Sequence, residues 1–249
     1  MIDFSIFETK NNVVFITDEI TSFSEAYLKV REKEQRILSD DDVLKLPHLN
    51  KFEWPQRVKS TKRFIDYISK KKQALTILDL GCGNGWFTNK IAEISKQNTI
   101  VGIDINKEEL QQATRLFKAE NIKFVYANVF ECNAIFKDEF DIISINGSIQ
   151  YFEDFEGLIT QLKKFLKPGG EIHIIDSPFY KTEDIPEAKK RTLEYYTKLG
   201  VPEMAQFYYH HSVMCVKKFS VLYKNKTTLF RKFLKSKDSP FMWLKFTKH

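Results

Sequence analysis

Residues 77 to 88 form an apolar stretch that runs into three alternating glycines and then into residues that suit a helix. The segment reads Ile-Leu-Asp-Leu-Gly-Cys-Gly-Asn-Gly-Trp-Phe-Thr. Ile77, Leu78 and Leu80 suit a buried parallel strand, and glycines let a ligand approach bare backbone. Ligands of open α/β sheets bind where the strands end. The segment therefore predicts such a sheet, with a ligand at the edge where Asp79 lies.

Two other glycine-rich loops are known at this position, and the spacing argues against both. The dinucleotide fingerprint G-x-G-x-x-G needs a small sixth residue so that helix and strand can close together. Trp86 stands there, and its indole would obstruct that contact. The phosphate-loop pattern also fails, because no Gly-Lys-Ser/Thr follows. A nicotinamide or flavin dinucleotide is therefore disfavoured.

At Asp79, Gly81, Gly83 and Gly85 the segment resembles the first motif of the class I S-adenosylmethionine-dependent methyltransferases, D/E-x-G-x-G-x-G. The resemblance implies that the glycine backbone lies against the methionine and ribose part of S-adenosylmethionine, with Asp79 near the amino group. A carboxylate suits an ammonium and a neighbouring sulfonium. The product would be S-adenosylhomocysteine.

A second acidic residue follows the next predicted strand. Residues 99–104 are apolar and β-branched and end in Asp104, 19 residues after Gly85. A ribose-binding acid belongs at about this distance. We therefore expect Asp104, with Ile105 beside it, to bind the cofactor ribose. The alternative is that Asp104 caps the following helix, although Asn106 is the better cap.

The third and fourth predicted strands each lead to a polar residue. Strand 122–127 leads to Asn128 and Val129, where the resemblance implies contact with adenine. An ordinary turn is the alternative for Asn128, since Asn is common in turns. Strand 140–145 leads to Asn146, in a segment that often lines the methyl-transfer pocket of the family.

A helix from residue 157 is predicted to end at the Lys-Pro-Gly-Gly corner of residues 167–170, before a fifth strand over 171–176. Proline cannot extend a helix and glycine permits positive φ, so the chain can reverse there. Such a corner is typical of the family. The glycine loop and the later motifs, found in the order expected of the family, identify it more specifically than the loop alone.

Composition agrees with one well-packed α/β domain. The chain has 249 residues, and 43% of them are hydrophobic. No apolar run approaches the roughly 20 residues that span a bilayer, and residues 1 to 15 do not form a secretory signal. We therefore expect a cytoplasmic protein without a transmembrane segment. Three scattered cysteines suggest neither disulfides nor a zinc site, and no metal is expected.

Three segments flank a cofactor-binding core over residues 56–176: an N-terminal helical cap (1–55), an insertion after strand five (177–212) and C-terminal strands that complete the sheet (213–249). A helix over 56–72 is predicted from an apolar stripe. Trp54 and Arg57 either face the cofactor or serve as a packing side chain and a surface charge.

The insertion contains a predicted helix over 186–199 and a run of tyrosines and histidines. These side chains either form an acceptor pocket or pack the insertion onto the core. A general base is needed only if the acceptor arrives protonated. His210 and His211 are the leading candidates, and Tyr151 is a weaker candidate for orienting the acceptor. A lone histidine is more often structural, so no residue is identified as catalytic.

The C-terminal segment carries an excess of positive charge. Residues 217–249 contain ten Lys or Arg and one acidic residue, interleaved with aromatics. This mixture could bind RNA or an anionic membrane. We favour two antiparallel strands, 218–224 and 241–247, joined by a short helix near 229–234, with the aromatics in the core and the lysines in solvent.

The sequence therefore predicts a Rossmann-like, doubly wound, mostly parallel seven-stranded sheet with helices on both faces. The predicted function is methyl transfer from S-adenosylmethionine to a small-molecule acceptor. The alternatives are an RNA or other nucleic-acid methyltransferase, or a non-catalytic cofactor-binding scaffold of the same fold. The sequence gives no indication of the oligomeric state.

Overall fold

The structure is a computed structural model that describes residues 2–51, 53–225 and 238–249. Its strands are β1 Glu8–Lys10, β2 Val13–Phe15, β3 Thr76–Leu80, β4 Thr99–Asp104, β5 Ile122–Tyr126, β6 Phe140–Asn146, β7 Leu166–Ile175, β8 Ser220–Tyr223 and β9 Trp243–Thr247. Its helices are α1 Thr21–Lys33, α2 Asp40–Leu44, α3 Trp54–Ile68, α4 Trp86–Ala92, α5 Lys107–Leu116, α6 Asn133–Phe136, α7 Phe155–Phe165 and α8 Ile185–Leu199.

Within these residues the strands form one sheet in the order β1-β2-β5-β4-β3-β6-β7-β9-β8. The strands from β2 to β7 in this order pair in parallel, and β1, β9 and β8 are antiparallel to their neighbours. Successive side chains point to opposite faces of a strand. Ile77 and Leu78 are accordingly both fully buried, in separate clusters on the two faces. The predicted Rossmann-like class is confirmed.

The predicted count of seven strands is wrong, because a hairpin in the N-terminal segment adds β1 and β2. Asn11 and Asn12 have φ values of +51° and +63° and form its two-residue turn, a conformation that Asn tolerates. Val14 of β2 pairs in parallel with Val125 of β5. The hairpin thus extends the sheet beyond β5. The N-terminal segment, which was expected to be helical, is therefore partly strand.

The C-terminal segment forms the two predicted antiparallel strands. Leu244 of β9 pairs with Ile174 of β7 on one side and with Val221 of β8 on the other. The helix predicted near 229–234 lies outside the described residues. Helix α7 ends at Phe165, and the Lys-Pro-Gly-Gly sequence at 167–170 lies inside β7, where the register shifts against β6. The corner is therefore a bulged strand rather than a helix end.

Helix α1 and the insertion pack against each other. Ala26 and Val30 of α1 form a buried cluster with Tyr196 of α8 and with Val201 and Met204 at the 3₁₀ segment Pro202–Phe207. Two segments far apart in sequence thus form one layer, which we call the lid layer. It lies beside the ends of the parallel strands, because its residues Phe23 and Tyr27 line the cavity described below.

Candidate functional site

The loop between β3 and α4 adopts a backbone that favours glycine. Gly81, Gly83 and Gly85 have φ values of +73°, +52° and +76°. A Cβ on Gly81 would lie 2.6 Å from Ser148 Cβ, and a Cβ on Gly85 would lie 2.6 Å from a ring carbon of Phe124 in β5. A Cβ on Gly83 would instead lie 2.7 Å from Glu109 Oε2. Two of the glycines therefore permit close packing of the loop, and Gly83 leaves space beside a carboxylate.

The loop and the strand ends surround a cavity of about 440 Å³, the first cavity. Most of the residues expected to bind the cofactor line it, namely Gly81, Gly83, Asp104, Ile105, Asn128, Val129 and Asn146. Asp79 and Gly85 are not among the described residues that line it. The structure thus brings seven of the nine expected positions to one cavity and places two behind its wall.

Asp79 lies in the interior below the loop and is only 2% exposed. Its carboxylate accepts hydrogen bonds from Thr88 Oγ1 at 2.7 Å and from Ser144 Oγ at 2.9 Å. Burial raises the pKa of Asp79 to about 6, although both hydroxyl hydrogen bonds lower it. Asp79 connects β3 to α4 and β6. The side chain is thus used within the fold, and Asp79 does not reach the lining of the first cavity.

Asp104 lies at the end of β4 and faces the loop. Its Oδ2 accepts a hydrogen bond from Gly83 N and its Oδ1 from Asn106 N, each at 2.8 Å. Burial raises the pKa of Asp104, and these backbone hydrogen bonds oppose the rise. Asn106 caps α5 by accepting from Glu109 N. Asp104 is therefore not the helix cap, and its carboxylate keeps acceptor capacity for a ligand.

Asn128 was expected either to contact adenine or to form an ordinary turn, and its position is compatible with both. It lines the first cavity, but its Oδ1 accepts from Phe130 N and its Nδ2 donates to Glu131. The side chain is thus engaged in a turn. Val129 lines the cavity beside it and is 2% exposed.

Trp54 and Arg57, at the start of α3, both line the first cavity. The Trp54 ring packs edge-on against Trp86 at 5.2 Å, and the Arg57 guanidinium lies 5.1 Å from the Trp54 ring centroid. A Cβ on Gly147 would lie 2.9 Å from Arg57 Nη2. Arg57 therefore reaches the segment that follows β6, while Glu53 lies 3.7 Å from the same nitrogen.

Sequence reasoning missed one face of α1 and one residue of α5. Phe23, Tyr27 and Arg31, which are spaced at four-residue intervals, all line the first cavity. A spacing of four places side chains on one helix face, but it does not show what that face meets. Glu109 also lines the cavity. Burial raises the pKa of Glu109 to about 7, with Arg31 acting against the rise.

The three candidates for acid–base or orienting roles are placed differently. Tyr151 lines the first cavity and packs edge-on against Tyr27 at 5.7 Å. His210 and His211 are not among the described lining residues. His210 Nε2 bonds to Thr192 Oγ1 at 2.9 Å, and His211 Nε2 donates to a main-chain carbonyl at 3.2 Å. Burial lowers the pKa of both histidines. Their placement supports packing and does not support the expected role as a base.

Within the part of the chain that the structure describes, no group of three or more His, Cys, Asp or Glu is arranged to hold a metal ion. The helices of that part include none that is both long and apolar enough to cross a membrane.

A mostly parallel sheet of this strand order, with a glycine loop after its central strand and an acid at the end of the next, agrees with the fold of the class I S-adenosylmethionine-dependent methyltransferases. Residues 71–238 match the family model of a methyltransferase domain. The chain therefore belongs to that family.

Two curated relatives illustrate the range of the family. Malonyl-[acyl-carrier protein] O-methyltransferase 2 of Ilyobacter polytropus is 28% identical over 107 residues, which are 43% of this chain and 40% of the relative. The tRNA (guanine-N(7)-)-methyltransferase of Clostridium botulinum is 33% identical over 141 residues, which are 49% of this chain and 62% of the relative. The chain therefore spans about 40% to 62% of the length of these relatives.

Similarity to solved structures extends over nearly the whole chain. A putative S-adenosyl-L-methionine-dependent methyltransferase of Methanococcus maripaludis has a TM-score of 0.53 and 15% identity, with coverage of 94% of this chain and 97% of that chain. This likeness concerns the fold alone.

S-adenosylmethionine is the cofactor of this family, and the lining of the first cavity fits it. Several lining side chains carry a buried polar atom with no hydrogen-bond partner among the described residues: Asn84 Oδ1, Asn106 Nδ2, Asn146 Oδ1 and Gln150 Oε1. Buried polar groups normally have partners, so a polar ligand is expected here. Asp104 and Glu109 suit its positive groups, and Arg57 suits its carboxylate.

Proposed function

We propose that this protein transfers a methyl group from S-adenosylmethionine to a small-molecule acceptor. The observation that supports it most is the lid layer, which joins α1 to the insertion beside the glycine loop. An acceptor has to fit between the lid layer and the sheet. Cavities of a few hundred Å³ bind small ligands; the first cavity, which the cofactor would occupy, measures about 440 Å³, and further space lies beside it under the lid layer.

The cofactor would be held by residues from four strand ends. In this proposal Asp104 and Ile105 bind the ribose, and Asn128 and Val129 lie at the adenine. The glycine loop, with Asn146 and Arg57, holds the methionine end. Apart from Gly85 of the loop, all of these residues line the first cavity.

The bound cofactor supplies an electrophilic methyl group on a positively charged sulfur. The chain itself has to align the acceptor with that group and to exclude water, and alignment alone can supply a large part of the acceleration. Tyr27 and Tyr151 line the cavity as phenols whose pKa values are raised by burial, so they stay neutral donors. Glu109, with a pKa of about 7, is the lining carboxylate suited to take up a proton from a hydroxyl acceptor.

RNA methylation is the second candidate, because one relative is named as a tRNA (guanine-N(7)-)-methyltransferase. It requires basic residues around the cavity. Among the described residues from 217 onward, no Lys lines the first cavity. Lys245 and Lys248 are instead paired with Glu171 and Asp138. The basic residues that line the first cavity are instead Arg31, Arg36 and Arg57, so the described C-terminal lysines give RNA no support and the labelling test below decides between the two acceptors.

The test is transfer of labelled methyl from S-adenosylmethionine into three separate pools: a deproteinised metabolite extract of the source organism, unmodified tRNA, and acyl carrier protein loaded with malonate. We expect label in the metabolite pool, and much less label with an Asp104→Ala variant. Label in tRNA or in the carrier protein alone would refute the small-molecule assignment. Cofactor binding without label in any pool would support a non-catalytic scaffold.

A further inference from the structure

A second cavity of about 470 Å³ adjoins the first. Tyr27, Arg31, Arg36 and Tyr151 line both cavities, so the two spaces are neighbours. The other walls of the second cavity come from α8 and from the 3₁₀ segment of the lid layer. A molecule in the second cavity would therefore lie next to a ligand in the first.

Tyrosines form much of this second cavity, namely Tyr27, Tyr151, Tyr195, Tyr196 and Tyr208. The Tyr151 ring packs edge-on against Tyr27 at 5.7 Å and against Tyr208 at 6.1 Å. Burial raises the pKa of Tyr151 and that of Tyr208, so both stay neutral at physiological pH. These walls offer apolar ring surface and hydroxyl groups without negative charge.

The charged residues of the second cavity are mostly positive: Arg31, Arg36 and Arg191 line it, with Glu34 as the only carboxylate among its described lining residues. Glu34 is already engaged, because the Tyr195 hydroxyl donates to Oε1 and Arg36 Nε lies 3.6 Å from Oε2. Arg36 Nη2 also lies 3.2 Å from Glu53. Arg191 lies 4.0 Å from Glu187, so Arg31 is the lining arginine left to attract an anion into the cavity.

Arg31 is the arginine of the second cavity that has no carboxylate at ion-pair distance among the described residues. It forms no ion pair within the described part of the chain, and its Nε is buried there without a hydrogen-bond partner. Its guanidinium lies 5.7 Å from the Tyr27 ring centroid. Glu109 influences it electrostatically from the first cavity, but burial keeps the pKa of Glu109 near 7. A guanidinium matches the two oxygens of a carboxylate or phosphate group.

We propose that the second cavity binds the methyl acceptor, and that the acceptor carries a carboxylate or phosphate group held by Arg31 and an apolar body packed against the tyrosines. This proposal rests on the proposed function and adds the chemical class of the acceptor. It also assigns Arg31 to the acceptor rather than to the cofactor.

The test measures binding of three probes to the full chain saturated with S-adenosylhomocysteine. The probes are 4-hydroxybenzoate, phenyl phosphate and the neutral 4-hydroxybenzamide, and calorimetry gives each Kd. We expect at least one anion to bind at least about tenfold tighter than the amide, and the tighter of the two identifies the preferred group. Equal binding of the amide, or no binding of either anion at millimolar concentration, would overturn the proposal.

Two charge-removing variants on α1 separate a local contact from a general field. Arg31→Gln should abolish the preference for the anion. Lys29→Gln removes the same charge from a side chain that is 61% exposed and faces Glu203 at 3.9 Å, and should change the Kd less than about twofold. Arg31→Lys keeps the charge without the planar fork and should retain part of the preference.

The affinity for S-adenosylhomocysteine distinguishes a failure of the acceptor-site inference from a failure of the proposed function. It should stay within about twofold of the wild type in all three variants. If Arg31→Gln weakens S-adenosylhomocysteine as much as it weakens the anion, Arg31 belongs to the cofactor site and the inference is wrong. If the wild type does not bind S-adenosylhomocysteine, the proposed function fails instead.

Discussion

Replacing Gly83 by Ala should separate cofactor binding from stability. Gly83 has a φ of +52°, so any other residue there is strained, at a cost of about 1–2 kcal/mol. For a domain of this size that cost corresponds to a melting temperature lower by about 2–8 °C. The new methyl group would also lie 2.7 Å from Glu109 Oε2, inside the first cavity. Glu109 can move aside, but the methyl group then occupies ligand space.

Gly169→Ala is the matched control. Gly169 has a φ of +74°, and a Cβ there would meet nothing within 4 Å. It lies in the bulged start of β7, where its N–H donates to Lys248, and it does not line the first cavity. Both variants should lose similar stability in thermal unfolding. In calorimetric titration only Gly83→Ala should lose affinity for S-adenosylhomocysteine, by at least tenfold or about 1.4 kcal/mol. Unchanged affinity in Gly83→Ala, or equal losses in both variants, would refute the reasoning.

Three further outcomes follow from the titratable groups. Burial raises the pKa of Asp79 from 3.8 to about 6 in the folded state. Its contribution to the free energy of unfolding is therefore complete below pH 3.8 and is lost as pH rises through 6, and the loss is about 3 kcal/mol. Urea unfolding at several pH values should show a free energy of unfolding that varies less with pH in Asp79→Asn. Glu109 ionises near pH 7. The affinity for S-adenosylmethionine, whose sulfur is cationic, should therefore rise between pH 6 and 8 relative to the affinity for S-adenosylhomocysteine, whose sulfur is uncharged. The same rise in Glu109→Gln would contradict this expectation. His210→Gln and His211→Gln should leave the pH profile of the methyl-transfer rate unchanged, because neither side chain is among the described residues that line the first or the second cavity. Loss of one limb of the profile would identify a base.

Local sequence determined the central part of the fold. The strand–loop–helix unit at 77–88 was predictable because alternating glycines and an apolar strand form a pattern of neighbouring residues. Asp104 was predictable for the same reason, since the end of a parallel strand is fixed by its own apolar run. These residues converge on one cavity because parallel strands all end at the same edge.

The lid layer could not be predicted in this way. Arg31 reaches the first cavity only because α1 packs against the 3₁₀ segment more than 170 residues later. No spacing within α1 indicates that partner. The β1–β2 hairpin was missed because its strands are three residues long and depend on β5 for pairing. His210 was selected by residue type alone, and the structure instead pairs it with Thr192, so that it lines neither cavity itself.

The most direct test of this account is calorimetric titration of the purified full chain with S-adenosylmethionine, S-adenosylhomocysteine and NAD in parallel. We expect micromolar binding of both adenosyl compounds and no binding of NAD. A folded, ligand-free protein that binds neither adenosyl compound would contradict the assignment of the first cavity, and with it the proposed methyl transfer.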